Sequence, residues 1–283
     1  MMKDITPLSY QGGDTLGALL DSVIGLAKRA GDMMVSEAPV ISRFKGTKEN
    51  YATETDENIQ RFLKKELLGL LPGSSFMGEE GHDYSKSDLL WIVDPIDGTV
   101  NYARGLSMSV VSIALVKDGR SVCGVVHNPY LMHTFHAERG EGAYLNGERI
   151  HVSDVKRENA LVSTAWCAYE KELAHPSFMI SERLHRECSD IRRFGTAAYE
   201  MCLLAKGSLD IYFEMLLRPW DYAASSLIVE EAGGVCSSTD GPLDMFDQCA
   251  VLACNSRDNL DYLKRVIKEE AGESRDTGSI WRD

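Results

Sequence analysis

The chain has 283 residues, 44% hydrophobic and 26% charged, an ordinary globular composition with enough length for one large domain or two modest ones. Its 43 Asp and Glu against 30 Lys and Arg give a formal charge of −13, a field that repels nucleic acid and anionic membrane and excludes both as general partners. A phosphorylated substrate reached through cations is not excluded. The seven cysteines are odd in number and contain no CxxC pair, which argues against a disulfide framework or zinc knuckle and suits a reducing cytoplasm.

Residues 1–13 read as a loose leader without the apolar core of a signal peptide. From Thr15, Leu16, Leu19, Leu20, Val23, Ala27, Ala30 and Met34 recur at helical spacing. Residues 38–54 break the period and read as loop with some strand character. A second helix is expected from Asp56 to Leu71, stopped by Pro72-Gly73. After a polar stretch comes the apolar "LLWIV", and residues 107–137 alternate as half-buried strands. "KDGR" and "LNGE" supply hairpin turns. The second half alternates strand with helix: strands at 160–166 and 190–194, a helix from Phe178 to Glu187, then helix "AAYEMCLLAKG", strand "LDIYFEM" and helix "DYAASSLIVEEAGG". "GVCSS" and "AVLACN" close a sheet. This gives an N-terminal α+β part over residues 1–150, a C-terminal α/β part over 151–270, and a flexible tail over 271–283.

Three acidic clusters stand out. "MGEEG" holds Glu79 and Glu80, "DPIDGT" holds Asp94 and Asp97, and "RPWDYAASSLIVEEAGG" holds Asp221. Taken singly each has a plain explanation: a solvated charge pair, a turn rich in Pro, Asp and Gly, and an acid at a helix start. The paired aspartates sit where a strand is expected to end. There a carboxylate, the Ile96 carbonyl and a second carboxylate make an oxygen-rich corner of the kind hard Mg²⁺ prefers, with oxygens at roughly 2.1 Å.

In order and together, "GEE", "WIVDPIDGTVNYAR" and "WDYAASSLIVEEAGG" resemble the signatures of the inositol monophosphatase family, with the match running from about Ala27 to Asn255. The resemblance implies an α/β fold, a layered αβαβα sandwich with an antiparallel sheet in the first half and a mixed sheet in the second. It also implies a Mg²⁺-dependent, lithium-sensitive phosphate monoester hydrolase, usually a homodimer, using two to three Mg²⁺ ions.

By this resemblance one ion is held by Glu79, Asp94 and the Ile96 carbonyl, a second by Asp94, Asp97 and Asp221, and a third, weaker one by Glu79 and water. Four crowded carboxylates repel strongly without such cations. Gly98 and Thr99 should open a helix whose amides hold phosphate. Thr99 and Glu79 would orient the attacking water, and the Thr99 hydroxyl would pass a proton toward Asp56 of "TETD". Lys45, or else Lys48, matches a lysine on a metal-site loop, and Asn50 stands where some members carry an acid. Gly195, Thr196 and Ala197 would line a sugar pocket. Glu214, with Asp97 and Asp221, would accept hydrogen bonds from ring hydroxyls. No GxSxG or HExxH context supports a serine, thiol or zinc mechanism. A small phosphorylated polyol, inositol 1-phosphate first, is the expected substrate. Histidinol phosphate and other sugar or nucleotide phosphates are the enzymatic alternatives, and a regulatory binding role is the non-enzymatic one.

Overall fold

The computed structural model describes residues 16–44, 51–81, 87–167 and 169–271. The opening helical period forms α1 (Leu16–Ser36), which buries Leu20, Val23, Ala27, Ala30 and Met34 along one stripe. A two-stranded ribbon, β1 (Ile41–Phe44) and β2 (Tyr51–Thr53), leads into α2 (Glu54–Leu70). Thr53 caps α2: its hydroxyl oxygen accepts from Asp56 N at 3.3 Å, and the Asp56 carboxylate accepts from Thr53 N at 2.8 Å. "TETD" is thus a capping box, which fixes where the helix begins and where Asp56 points.

Seven strands follow as one sheet, in chain order: β3 (Ser75–Gly78), β4 (Leu89–Asp97), β5 (Val110–Lys117), β6 (Arg120–Asn128), β7 (His133–Glu138), β8 (Gly142–Leu145) and β9 (Glu148–Ile150). Both predicted hairpin turns form, with Asp118-Gly119 and Asn146-Gly147 each left-handed at both residues, the geometry that matches strand twist. The sheet is antiparallel except at its edge, where β3 pairs parallel with β4. A second, mixed sheet has the order β11 (Asp190–Arg192), β10 (Leu161–Thr164), β12 (Ile211–Leu217), β14 (Cys249–Cys254), β13 (Val235–Ser237).

Helices α5 (Ala197–Ala205) and α6 (Pro219–Glu231) lie between the two sheets, and their buried residues share one core with both. α1 and α2 cover the other face of the first sheet, around Leu63, Leu67, Trp91 and Ile113. The outer face of the second sheet is covered by α4 (Ala174–Glu187) and α7 (Arg257–Ala271), around Ile180, Leu184, Phe213 and Leu263. The result is the expected five-layer αβαβα sandwich. Because both sheets are covered on both faces, β5 is buried from Val110 to Val116 rather than alternating.

The strand carrying "LLWIV" ends at the paired aspartates: β4 runs through Asp97, and its register with β5 slips between Asp94 and Asp97. The irregularity at Pro95, which has no N–H to give the ladder, lets both acids leave the regular pleat. The chain then turns at Gly98, whose φ of 88° is left-handed. A Cβ there would lie 2.9 Å from Met108 O, so the short helix α3 (Thr99–Ala103) starts from a position only glycine fills easily. The periodic reading assigns no element to α7, an amphipathic helix carried by Leu260, Leu263, Val266 and Ile267.

Candidate active site

The site lies where β4 ends, α2 begins, and α5 and α6 present their first turns. Asp56, in the first turn of α2, is fully buried. Its Oδ2 is held by Thr53, while its Oδ1 lies 3.4 Å from the Thr99 hydroxyl, which also lies 3.1 Å from Ile96 O. Burial, opposed by the Thr53 bond and aided by repulsion from Glu79 and Glu80, pushes the Asp56 carboxyl up to about 7.

Asp94 is 2% exposed, and its Oδ1 accepts from Ile96 N at 2.9 Å. Asp97 is 7% exposed and reaches across to α5, accepting at Oδ2 from Thr196 Oγ1 at 2.6 Å and from Ala198 N at 2.8 Å. Burial raises Asp97 to about 7 against those two bonds, with Glu200 and Glu79 adding repulsion. Asp221, third residue of α6, accepts from Arg218 N at 2.7 Å. Burial, then repulsion from Asp97, Glu79 and Glu214, holds it well above the usual carboxylate range. Glu214, on β12, takes a hydrogen bond from the Tyr212 hydroxyl at 3.0 Å and is pushed up to about 8, first by burial.

Glu79, Asp97, Asp221 and Glu214 therefore share one electrostatic neighbourhood, with Asp94 three residues before Asp97 on the same strand end. Among the described residues no three His, Cys, Asp or Glu side chains are arranged as a ready-made cation cage. Asp94, Asp97 and Asp221 instead each turn one oxygen to a protein N–H. A carboxylate has a second oxygen and several lone pairs. A cluster of buried acids that raise one another, built from hard oxygen donors, is what a hard divalent cation would neutralise. The donor set fits Mg²⁺.

Of the residues expected to line a sugar pocket, Gly195 (φ 79°) and Thr196 precede α5, and Ala197 begins it. The residue missed from sequence is Glu200. It is 1% exposed, and its Oε1 accepts from the amides of Phe194, Gly195 and Thr196 at 3.2, 2.7 and 3.2 Å, while the Ser163 hydroxyl bonds its Oε2. Asn101 secures the same loop from the other side, donating to Phe194 O at 2.7 Å and Met108 O at 2.9 Å. An acid inside "FGTAAYEMC" reads as a first-turn helix residue, so its inward-facing role gave no separate signal. Lys45, Lys48 and Asn50 lie outside the described residues. The seven cysteines are free and buried or half-buried; burial raises the Cys167 thiol to about 12, so it is no ready nucleophile.

A family model described as the inositol monophosphatase family matches residues 16–272. The chain belongs to the inositol monophosphatase family. It is 36% identical over 225 residues to a fructose-1,6-bisphosphatase/inositol-1-monophosphatase of Thermotoga maritima, covering 78% of this chain and 85% of that one. It is 35% identical over 219 residues to the Nus factor SuhB of Xylella fastidiosa, covering 76% and 80%. The solved IMPase of Thermotoga maritima superposes with a TM-score of 0.79 at 32% identity, covering 90% of this chain and 98% of that one. Inositol monophosphatase-family proteins thus share this five-layer fold, and the relatives' names span more than one activity.

Proposed function

We propose that this chain is a Mg²⁺-dependent phosphate monoester hydrolase whose preferred substrate is a small phosphorylated polyol, inositol 1-phosphate first. The observation that carries the reading is the Asp56–Thr99 contact placed beside Asp94, Asp97, Asp221 and Glu79. It joins a proton acceptor and a hydroxyl to a set of acids that repel one another without a cation.

Glu79, Asp94, the Ile96 carbonyl, Asp97 and Asp221 would hold two to three Mg²⁺ ions. Bound there, Mg²⁺ supplies a water acidified toward neutrality and charge neutralisation for an in-line displacement. Thr99 and Glu79 orient that water. The Thr99 hydroxyl lies within reach of Asp56 and the Ile96 carbonyl as a donor, and as an acceptor it would take up the water's proton as its own moves to Asp56. The Gly98 and Thr99 amides contact the phosphate. Gly195, Thr196, Ala197 and Glu214, with Asp97 and Asp221, meet the polyol. Lithium sensitivity, a homodimer and a cytoplasmic setting belong to the same reading; no helix among the described residues is long and apolar enough to cross a membrane.

The test is Mg²⁺-dependent phosphate release from inositol 1-phosphate, histidinol phosphate, fructose 1,6-bisphosphate, adenosine 3′,5′-bisphosphate and glycerol 2-phosphate. The expected result is the highest kcat/KM on inositol 1-phosphate, with loss of all release in EDTA. Preference for another ester reassigns the substrate. A protein inert on all five that binds a macromolecular partner overturns the hydrolase reading in favour of the regulatory binding role.

A further inference from the structure

We propose that Gln60 is a positioning residue for Glu79: its side-chain amide takes the place of a neighbouring strand and grips the Glu80 peptide on both sides. The inference rests on the reading of Glu79 as a Mg²⁺ ligand. β3 is the edge of the seven-stranded sheet, so only one side of it is paired with a strand. On the paired side the parallel ladder reaches its last bond where Glu79 N donates to Val93 O at 3.3 Å. On the other side Gln60 Oε1 accepts from Glu80 N at 2.8 Å, and Gln60 Nε2 donates to Glu80 O.

The segment just past the strand end is therefore held from both sides. Gly78 is part of the device, since a Cβ there would collide with Gln60 Oε1 and with the Phe76 ring. Glu80 forms an ion pair with Arg43 and adds to the repulsion on Asp56, while Glu79 lies close enough to Asp56, Asp97 and Asp221 to raise all three carboxyls. Arg43 is half-exposed but the Glu80 side chain is not, so the ion pair holds that side chain while the bidentate amide holds its backbone, whose two peptide groups are partly buried.

Gln60 lies four residues after Asp56 on α2, one turn along the same helix face. A single helix, its start pinned by the Thr53 cap, thus sets the acid beside Thr99 and the peptide that aims Glu79. Losing an outer partner of a metal ligand weakens metal affinity by roughly 10–100-fold.

The experiment is calorimetric titration of the full chain with Mg²⁺ alone, in the absence of any ester, for wild type, Gln60→Met, Gln60→Glu and Ile59→Val. Gln60→Met keeps the length and loses both hydrogen bonds; its Mg²⁺ affinity should fall about 10–100-fold with the far-UV spectrum unchanged. Gln60→Glu keeps the acceptor for Glu80 N and loses the donor, so its affinity should fall in between. Ile59→Val trims the buried core of the same helix and should lower Tm while leaving Mg²⁺ affinity at the wild-type value. Wild-type affinity in folded Gln60→Met overturns the proposal, and so does an equal loss in Ile59→Val. If Gln60→Met does not fold, Gln60→Glu decides by the same criterion. A wild type that binds Mg²⁺ but cleaves no ester overturns the hydrolase reading alone, because the titration still reads Gln60. A wild type that binds no Mg²⁺ overturns both.

Discussion

The Thr99 hydroxyl and the Asp56 carboxylate meet at 3.4 Å across 43 residues of chain, one from the first turn of α3 and the other from the first turn of α2. If this pair moves a proton, either partner's loss removes the same step. Thr99→Ala and Asp56→Asn should each lower kcat by about 10²–10⁴. The double variant should lose little more than the worse single one, since residues acting as a unit are not additive. Thr99→Ser keeps the hydroxyl and should stay within about tenfold of wild type. Fully multiplicative losses in the double variant would mean that the two residues act separately.

Asp94 is the most buried of the expected metal-site aspartates and is proposed to bridge two ions. Asp94→Asn should cost more than about 100-fold in kcat, roughly 3 kcal/mol. The fold should survive, because an amide oxygen can still accept from Ile96 N and one charge leaves a crowded acidic cleft. Activity within about tenfold of wild type with ordinary Mg²⁺ dependence would rule out the bridging role.

Much of this is legible in the sequence. The helices and strands follow from helical and alternating periods, while the five-layer arrangement and the set of acids follow from the family resemblance of three motifs in fixed order. What escaped was set by tertiary context. The slip at Pro95, with β5 paired to β4 on both sides of it, is a cross-strand fact invisible in "DPIDGT". The apolar stripe of α7 is present in the sequence, and the periodic reading assigns it to no element. Glu200 and Gln60 look like ordinary helix residues. Their roles come from backbone groups at 194–196 and at residue 80 that only the fold brings to them.

Asp97 should make the metal-free protein pH-sensitive. Its folded carboxyl is raised to about 7 by burial, from an unfolded value of 3.8. The unfolded state therefore releases its proton first, and stability present below about pH 4 is lost as pH rises toward about 7, levelling off above. Asp97→Asn keeps an acceptor for Thr196 and Ala198 and removes that penalty. In EDTA, the Tm of Asp97→Asn minus that of wild type should be more positive at pH 7.5 than at pH 4.5. Taking the difference cancels the opposite slope from His127, His133 and His136, whose burial lowers them. A Tm difference independent of pH would show that Asp97 titrates normally in the fold.

Glu200 holds the loop that would line the sugar pocket. Glu200→Ala strands three amides, a destabilisation on the order of 3 kcal/mol, while the Ser163 hydroxyl keeps Arg192 O as an acceptor. Glu200→Gln retains an acceptor for the amides and should cost less than half as much. The measurement is urea unfolding in EDTA, which keeps ion binding out of the comparison. Equal losses in the two variants would mean that the charge, not the loop bonding, is what matters.

Glu214 is the test of specificity. It stands on β12, close enough to Asp97 and Asp221 to share their electrostatic field. A carboxylate there suits a polyol because it can accept from several hydroxyls at once. Its Oε2 also serves the buried Tyr212 hydroxyl, so Glu214→Ala confounds lost recognition with a stranded donor. Glu214→Gln keeps an oxygen for Tyr212 and weakens acceptance from the substrate, and is the cleaner variant. Relative to wild type, both should narrow the ratio of kcat/KM for inositol 1-phosphate over glycerol 2-phosphate, which lacks the ring hydroxyls. The expected loss of discrimination is roughly 1–3 kcal/mol, the scale of a hydrogen bond to a charged group. The Mg²⁺ optimum should hardly move, because the proposed ligands are untouched. If both esters slow equally and the ratio holds, Glu214 serves the ions or the fold rather than the polyol.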